Sequence, residues 1–188
     1  MRKITAGLFI SLDGVVESPE KWTGPYFNDQ VGQAVGALMA SNDALLLGRT
    51  TYQGFAAAFG GQSGGMADQM NHTPKFVVSS TLTSADWQNS TLISGASDDV
   101  AEQIRELKQR PGRNIGMSGS STLVGWLLRH DLLDELDLLL FPVGCKTWWH
   151  NGPNCYRKGA EGKRIVLGCP RCRAARHDDT DAFASGDL

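Results

Sequence analysis

Three short polar stretches adjoin apolar runs in this chain. They are Gly48-Arg49-Thr50-Thr51 after A-L-L-L, Ser79-Ser80-Thr81 after K-F-V-V, and Ser118-Gly119-Ser120-Ser121-Thr122 before L-V-G-W-L-L. Their residue types suit phosphate. Arg49 offers a planar guanidinium, Thr50 and Thr51 bring hydroxyls and N–H groups to the positive end of a helix starting there, and Gly48 lets the backbone approach a ligand closely. Ser79 and Ser80 supply short hydroxyls that do not crowd a ribose or a phosphate. Gly119, Ser120, Ser121 and Thr122 form a small-residue turn whose N–H groups point at an anion on a helix N-terminus. Serine and threonine cap helices everywhere, so each stretch alone reads equally as a cap. Three of them on one sheet edge, one carrying an arginine, favour a dinucleotide site. Neither G-x-G-x-x-G nor G-x-x-x-x-G-K-[ST] occurs, which argues against a Rossmann dehydrogenase and a nucleotide triphosphatase.

Three further residues could face a substrate. Asp13 and Asp29 flank a loop bearing Trp22, Tyr26 and Phe27. Either carboxylate could orient a substrate or supply a proton. Asp13 just before Gly14 also reads as a turn residue, and Asp29 also as a first-turn complement to a helix dipole. Trp22 could stack on a flat heterocycle or pack beneath the loop.

The elements that must position these residues alternate. Lys3 to Leu12 reads as a strand, Asn28 caps a helix running to about Ala40, Ala44 to Leu47 is a buried strand, and a short helix runs on to Phe59. Gly60 to Gly65, G-G-Q-S-G-G, reads as a mobile surface loop and a candidate lid. Strands follow at Lys75 to Val78 and Thr91 to Ile93, then a helix at Asp98 to Gln109. A strand at Asn114 to Met117, a helix at Ser120 to His130 and a strand at Glu135 to Val143 complete the pattern. Alternating strands and helices predict an α/β domain with a largely parallel central sheet. Ligands of such sheets bind at the carboxyl ends of the strands, where the three polar stretches fall.

The 188 residues and 41% hydrophobic content suit one soluble domain, and a net charge of −2 gives no argument for nucleic acid. No apolar stretch approaches a membrane span and the N-terminus lacks a signal peptide's apolar core. A small molecule as partner, no nucleic acid, no membrane and a cytoplasmic location are the expectations.

The ordered blocks S-L-D-G at Ser11 to Gly14, L-L-L-G-R-T-T-Y at Leu45 to Tyr52, V-V-S-S-T-L at Val77 to Leu82, and the long block Ile115 to Pro142 resemble the dihydrofolate-reductase-like superfamily. The resemblance is to the reductase domain of bacterial riboflavin-pathway deaminase-reductases and its stand-alone relatives, and it covers about residues 1–144. It implies a single-domain α/β fold with a mixed, mostly parallel sheet flanked by helices, NADPH as cofactor, a pyrimidine- or pterin-like substrate, and a homodimer. It gives Arg49, Thr50, Thr51, Ser79 and Ser80 the adenosine phosphates, and residues 119–122 the pyrophosphate and nicotinamide side. Asp29 falls by order where dihydrofolate reductases keep a carboxylate at the start of the first helix. A non-catalytic nucleotide-binding or dimeric regulatory domain is the alternative.

Residues 145–188 change character. They hold all four cysteines and eight Lys+Arg against five Asp+Glu, whereas residues 1–144 hold ten against fifteen. The two further strands with which the resembling families close their sheet have no matching pattern here, as in a frame-shifted or divergent segment. Cys169 and Cys172 have the spacing of half a zinc site, with Cys145, Cys155, His150 and His177 as possible complements. A tail without ordered structure is the stronger expectation, and no metal is assigned.

Overall fold

The structure is a computed structural model that describes residues 1–144 and 163–168. One seven-stranded sheet runs in the order β4-β3-β2-β5-β1-β6-β7. The strands are β1 (Ile4–Ser11), β2 (Asn42–Gly48), β3 (Lys75–Val78), β4 (Ser90–Ile93), β5 (Asn114–Ser118), β6 (Glu135–Phe141) and β7 (Lys163–Gly168). The first six pair in parallel and β7 lies antiparallel on β6. The helices are α1 (Asp29–Ala40), α2 (Arg49–Phe59), α3 (Gly65–His72), α4 (Ser97–Gln109) and α5 (Ser121–Arg129). The α/β fold with a mostly parallel, helix-flanked sheet is the one expected.

Successive side chains of a strand point to opposite faces. Leu46 accordingly joins the apolar cluster with Ile104, Leu107 and Leu127 from α4 and α5, while Leu45 and Leu47 join Tyr52 and Met70 from α2 and α3 on the other face. A strand covered on both sides needs no polar alternation, hence the unbroken A-L-L-L run. A third cluster sets Val31 of α1 against Leu139, Phe141, Val143 and Trp22.

Two elements differ from expectation. The glycine-rich segment is followed by α3, which the sequence pattern does not announce because Met66, Ala67 and Met70 are its only apolar residues among eight. Its place is fixed from outside. Buried Asn71 donates to the carbonyl oxygens of Phe59 (3.1 Å) and Gln62 (2.9 Å) and accepts from Trp87 Nε1 (2.7 Å), tying the glycine segment and α3 to the sheet. Buried Lys75, the first residue of β3, donates to the carbonyls of Met70 (2.7 Å) and Thr73 (2.7 Å) and lies 4.2 Å over the Trp87 ring. It satisfies carbonyls that a helix C-terminus leaves unpaired. The second difference is β7, since no strand was expected there. Ile165-Val166-Leu167 is an apolar trio that pairs across from Leu138, Asp137 and Leu136.

Candidate functional site

Parallel strands end on one rim, and here three helices begin on it. Gly48 closes β2 and caps α2 by its backbone alone. The chain can turn there only without a side chain, since a Cβ on Gly48 would lie 2.9 Å from Ser120 Oγ and 3.0 Å from Ser120 Cβ. That contact draws the start of α5 against the start of α2. Between β5 and α5, Gly119 (φ 90) and Ser120 (φ 46) both sit in left-handed backbone, a conformation rare for serine and characteristic of functional turns. Ser120 Oγ accepts from Leu123 N (3.4 Å), so it is also the cap of α5. α4 starts behind Ala96, which offers no side-chain cap.

The starts of α2, α4 and α5 and the end of β3 enclose a cleft of about 510 Å³. Gly48, Arg49, Thr50, Ser79, Ser80, Ser120 and Thr122 line it together. Of the remaining expected cofactor residues, Thr51 and Gly119 are not in the lining but lie next to each other, a Cβ on Gly119 being 3.5 Å from Thr51 Oγ1. Ser121 is the exposed first residue of α5. Ser79 is committed to its own turn, its hydroxyl accepting from Thr81 N (3.2 Å) and Leu82 N (3.1 Å).

The electrostatics are one-sided. Among the described residues no carboxylate lines the cleft, and Arg49, exposed at the first position of α2, makes no ion pair. Three helix N-termini add their dipoles and free N–H groups. Seven hydroxyls, from Thr50, Ser79, Ser80, Thr81, Ser97, Ser120 and Thr122, also line the cleft. The donor set fits an extended polyanion, and the apolar side chains of Val78, Val100, Leu123 and Trp126 fit flat or aliphatic parts between the charges.

Asp13, Trp22 and Asp29 do not line this cleft. Asp13 follows β1 on the same rim and accepts from Ser11 Oγ. Asp29 is exposed in the first turn of α1 behind Asn28, whose side chain caps Val31 N (3.0 Å). Trp22 is 6% exposed, donates its indole N–H to Glu17 O (2.9 Å) and packs edge-on against Phe141. The glycine segment 60–65 lies outside the cleft lining as well. Gly95, Ser97 and Trp126 do line it and were missed. The signal was available: β4 ends in Ile93 followed by S-G-A-S, the same small polar strand-end as the other three. The cysteines and histidines considered for zinc lie outside the described residues.

A sequence profile of the RibD C-terminal domain matches residues 2–144. A search of curated proteins finds no matching sequence. Among solved structures, a protein described as a riboflavin biosynthesis protein, from Shewanella sp. PV-4, is similar at 22% identity and a TM-score of 0.56, over 74% of this chain and 77% of that one. A pyrimidine reductase-like protein from Corynebacterium diphtheriae is similar at 12% identity and a TM-score of 0.53, over 75% of each chain. At these identities the likeness shows a shared fold. No helix among the described residues is long and apolar enough to cross a membrane.

Proposed function

The chain belongs to the RibD C-terminal domain family, a riboflavin-pathway reductase family of dihydrofolate-reductase-like fold, and on that premise we propose that it is an NADPH-dependent reductase of a small pyrimidine- or pterin-like heterocycle. One observation carries the reading. Among the described residues Arg49 has no carboxylate partner and no acidic residue lines the cleft in which it stands with three helix N-termini, which is an arrangement for a ligand with several phosphate charges.

In this reading Arg49 and Thr50 hold the 2′-phosphate end, and Thr51 stands behind them. Ser80 and Thr81 bind the ribose side, with Ser79 keeping their turn in shape. Gly119, Ser120, Ser121 and Thr122 present the N-terminus of α5 to the pyrophosphate. The cofactor, when bound, supplies the hydride, so the chain's task is to orient the substrate, exclude water and deliver a proton. Asp29 and Asp13 are the proposed groups for orientation and proton supply, each at the carboxyl rim of the sheet. Trp22 belongs to the wall of the substrate region, its ring held by Phe141. Cytoplasmic residence and a homodimer complete the proposal. Titration of the protein with NADPH, followed by its fluorescence, should saturate; a linear response to millimolar cofactor would reject the reading.

A second reading is favoured by the separation of Asp13, Trp22 and Asp29 from the cleft lining. It is a nucleotide-binding domain without turnover. Bound NADPH that stays reduced across a panel of aminouracils and pterins would select it.

A further inference from the structure

Ser97, Trp126 and His130 form a closed cluster at the meeting of α4 and α5. Ser97 Oγ lies 3.2 Å from His130 Nε2 and 3.2 Å from Trp126 Nε1. His130 Nδ1 lies 2.8 Å from the carbonyl oxygen of Trp126, and the imidazole stacks on the indole with centroids 4.1 Å apart and planes 25° apart. Ser97 and Trp126 line the cleft, and His130 stands behind them.

The hydrogens of this cluster follow from chemistry. A carbonyl oxygen only accepts, so Nδ1 of His130 carries a hydrogen in both charge states. In the neutral ring Nε2 is then an acceptor. The Ser97 hydroxyl donates to it, the indole N–H donates to Ser97 Oγ, and what the hydroxyl has left is a lone pair. When the imidazole gains a proton, Nε2 becomes a donor. Ser97 Oγ now accepts from both rings, and its own hydrogen is freed to point elsewhere. One hydroxyl of the cleft wall thus changes from acceptor to donor, and a positive charge arrives behind it.

We propose that His130, acting through Ser97, sets the hydrogen-bonding polarity of this side of the cleft, so that an anionic dinucleotide is held more tightly when the imidazole is protonated. The nature of the ligand rests on the proposed function; the proton relay itself does not. His130 is a positioning residue here, because it reaches the ligand only through Ser97. The charged groups of α4 are Asp98, Asp99, Glu102, Arg105, Glu106 and Lys108, with the two aspartates in its first turn, and Arg129 and Asp131 stand on either side of His130. Imidazoles change charge between about pH 5 and 8, within reach of ordinary binding assays.

The test compares the intact protein with His130→Gln and Ser97→Ala, using NADP⁺ in calorimetry across that pH range. Titration of the 2′-phosphate is common to all three proteins and cancels in the ratio of dissociation constants. That ratio, His130→Gln over wild type, should grow from about one near pH 8 to about three- to tenfold near pH 5.5, the size of one ordinary hydrogen bond and a screened charge. Ser97→Ala should lose most of the same pH dependence although it keeps the imidazole. In proton NMR, the Trp126 indole N–H signal, assigned with Trp126→Phe, should shift with the His130 titration in wild type and cease to follow it in Ser97→Ala. A ratio that stays flat with pH while wild type binds NADP⁺ would overturn the proposal, as would an indole signal indifferent to His130. Failure of wild type to bind NADP⁺ at any pH would instead reject the cofactor reading and the ligand half of this proposal, and the indole titration would then decide the relay.

Discussion

Arg49 is where the account meets a single side chain. Its guanidinium is exposed at the start of α2 and lines the cleft, and among the described residues it has no ion-pair partner and the cleft no carboxylate. A charge-assisted hydrogen bond contributes about 1.5–3 kcal/mol, so Arg49→Ala should weaken NADPH about ten- to hundredfold, measured by calorimetry. NADH, which lacks the 2′-phosphate, should lose far less. Equal losses for the two cofactors would remove the 2′-phosphate from Arg49 and leave it a general anion contact. Arg49→Lys should keep part of the affinity, because an ammonium supplies the charge without the planar fork. The residue types at 48–51 made this site legible in the sequence, whereas Trp126 and its pairing with Ser97 were not. A serine at a helix start and a tryptophan on an amphipathic helix look ordinary until the fold sets them side by side.

The turns are the second level. Gly48 must lack a side chain because α5 begins against it, and a Cβ there would press on Ser120, itself held at a positive φ. Gly48→Ala should therefore destabilise the fold by about 1–3 kcal/mol, read from chemical denaturation, and weaken NADPH binding through the displaced Ser120. Unchanged stability and affinity would show that the two turns are not coupled. The α3 anchor makes a contrasting prediction. Asn71→Ala strands the Trp87 indole N–H and removes the side-chain bonds to the Phe59 and Gln62 carbonyls, so it should cost about 2–4 kcal/mol of stability while NADPH affinity of the folded protein is kept. Loss of affinity at full occupancy of the fold would instead tie the glycine segment to the cleft. Strand cores and strand ends were readable because β2, β3 and β5 are apolar runs punctuated by small polar residues. Helix α3 was not, because its stability comes from Asn71 and Lys75 contacts distant in sequence rather than from an apolar stripe of its own. The seventh strand was hidden similarly, as K-R-I-V-L-G is too short to stand out beside glycines and cysteines.

At the scale of the molecule, six parallel strands bring the turns of β2, β3, β4 and β5 to one rim, and the same sheet carries a buried cation at its opposite end. Burial pushes the Lys75 ammonium down to about 8 from its ordinary 10.5. The unfolded chain then binds the proton more tightly than the native one between those values, so this lysine makes folding more favourable as pH rises from about 8 towards 10.5. Below about 8 the buried charge is a constant cost. The difference in unfolding free energy between wild type and Lys75→Met, measured by denaturant titration, should therefore increase across that window. A difference that is flat, or that falls, would show that the native ammonium keeps its ordinary acidity. The chain-wide arrangement of strands and helices was legible from hydrophobic periodicity and from the family blocks. The distance between the cleft and Asp13, Trp22 and Asp29 was not, because sequence order places all of them on one rim without saying which share a cavity.

The claim on which the rest depends is that the cleft between the starts of α2, α4 and α5 holds the phosphates of a dinucleotide. A crystal structure of the protein soaked with NADPH tests it most directly. The account predicts the 2′-phosphate on Arg49 and Thr50 and the pyrophosphate against the turn from Gly119 to Thr122. Cofactor density on any other face of the sheet, with this cleft holding only solvent, would contradict it.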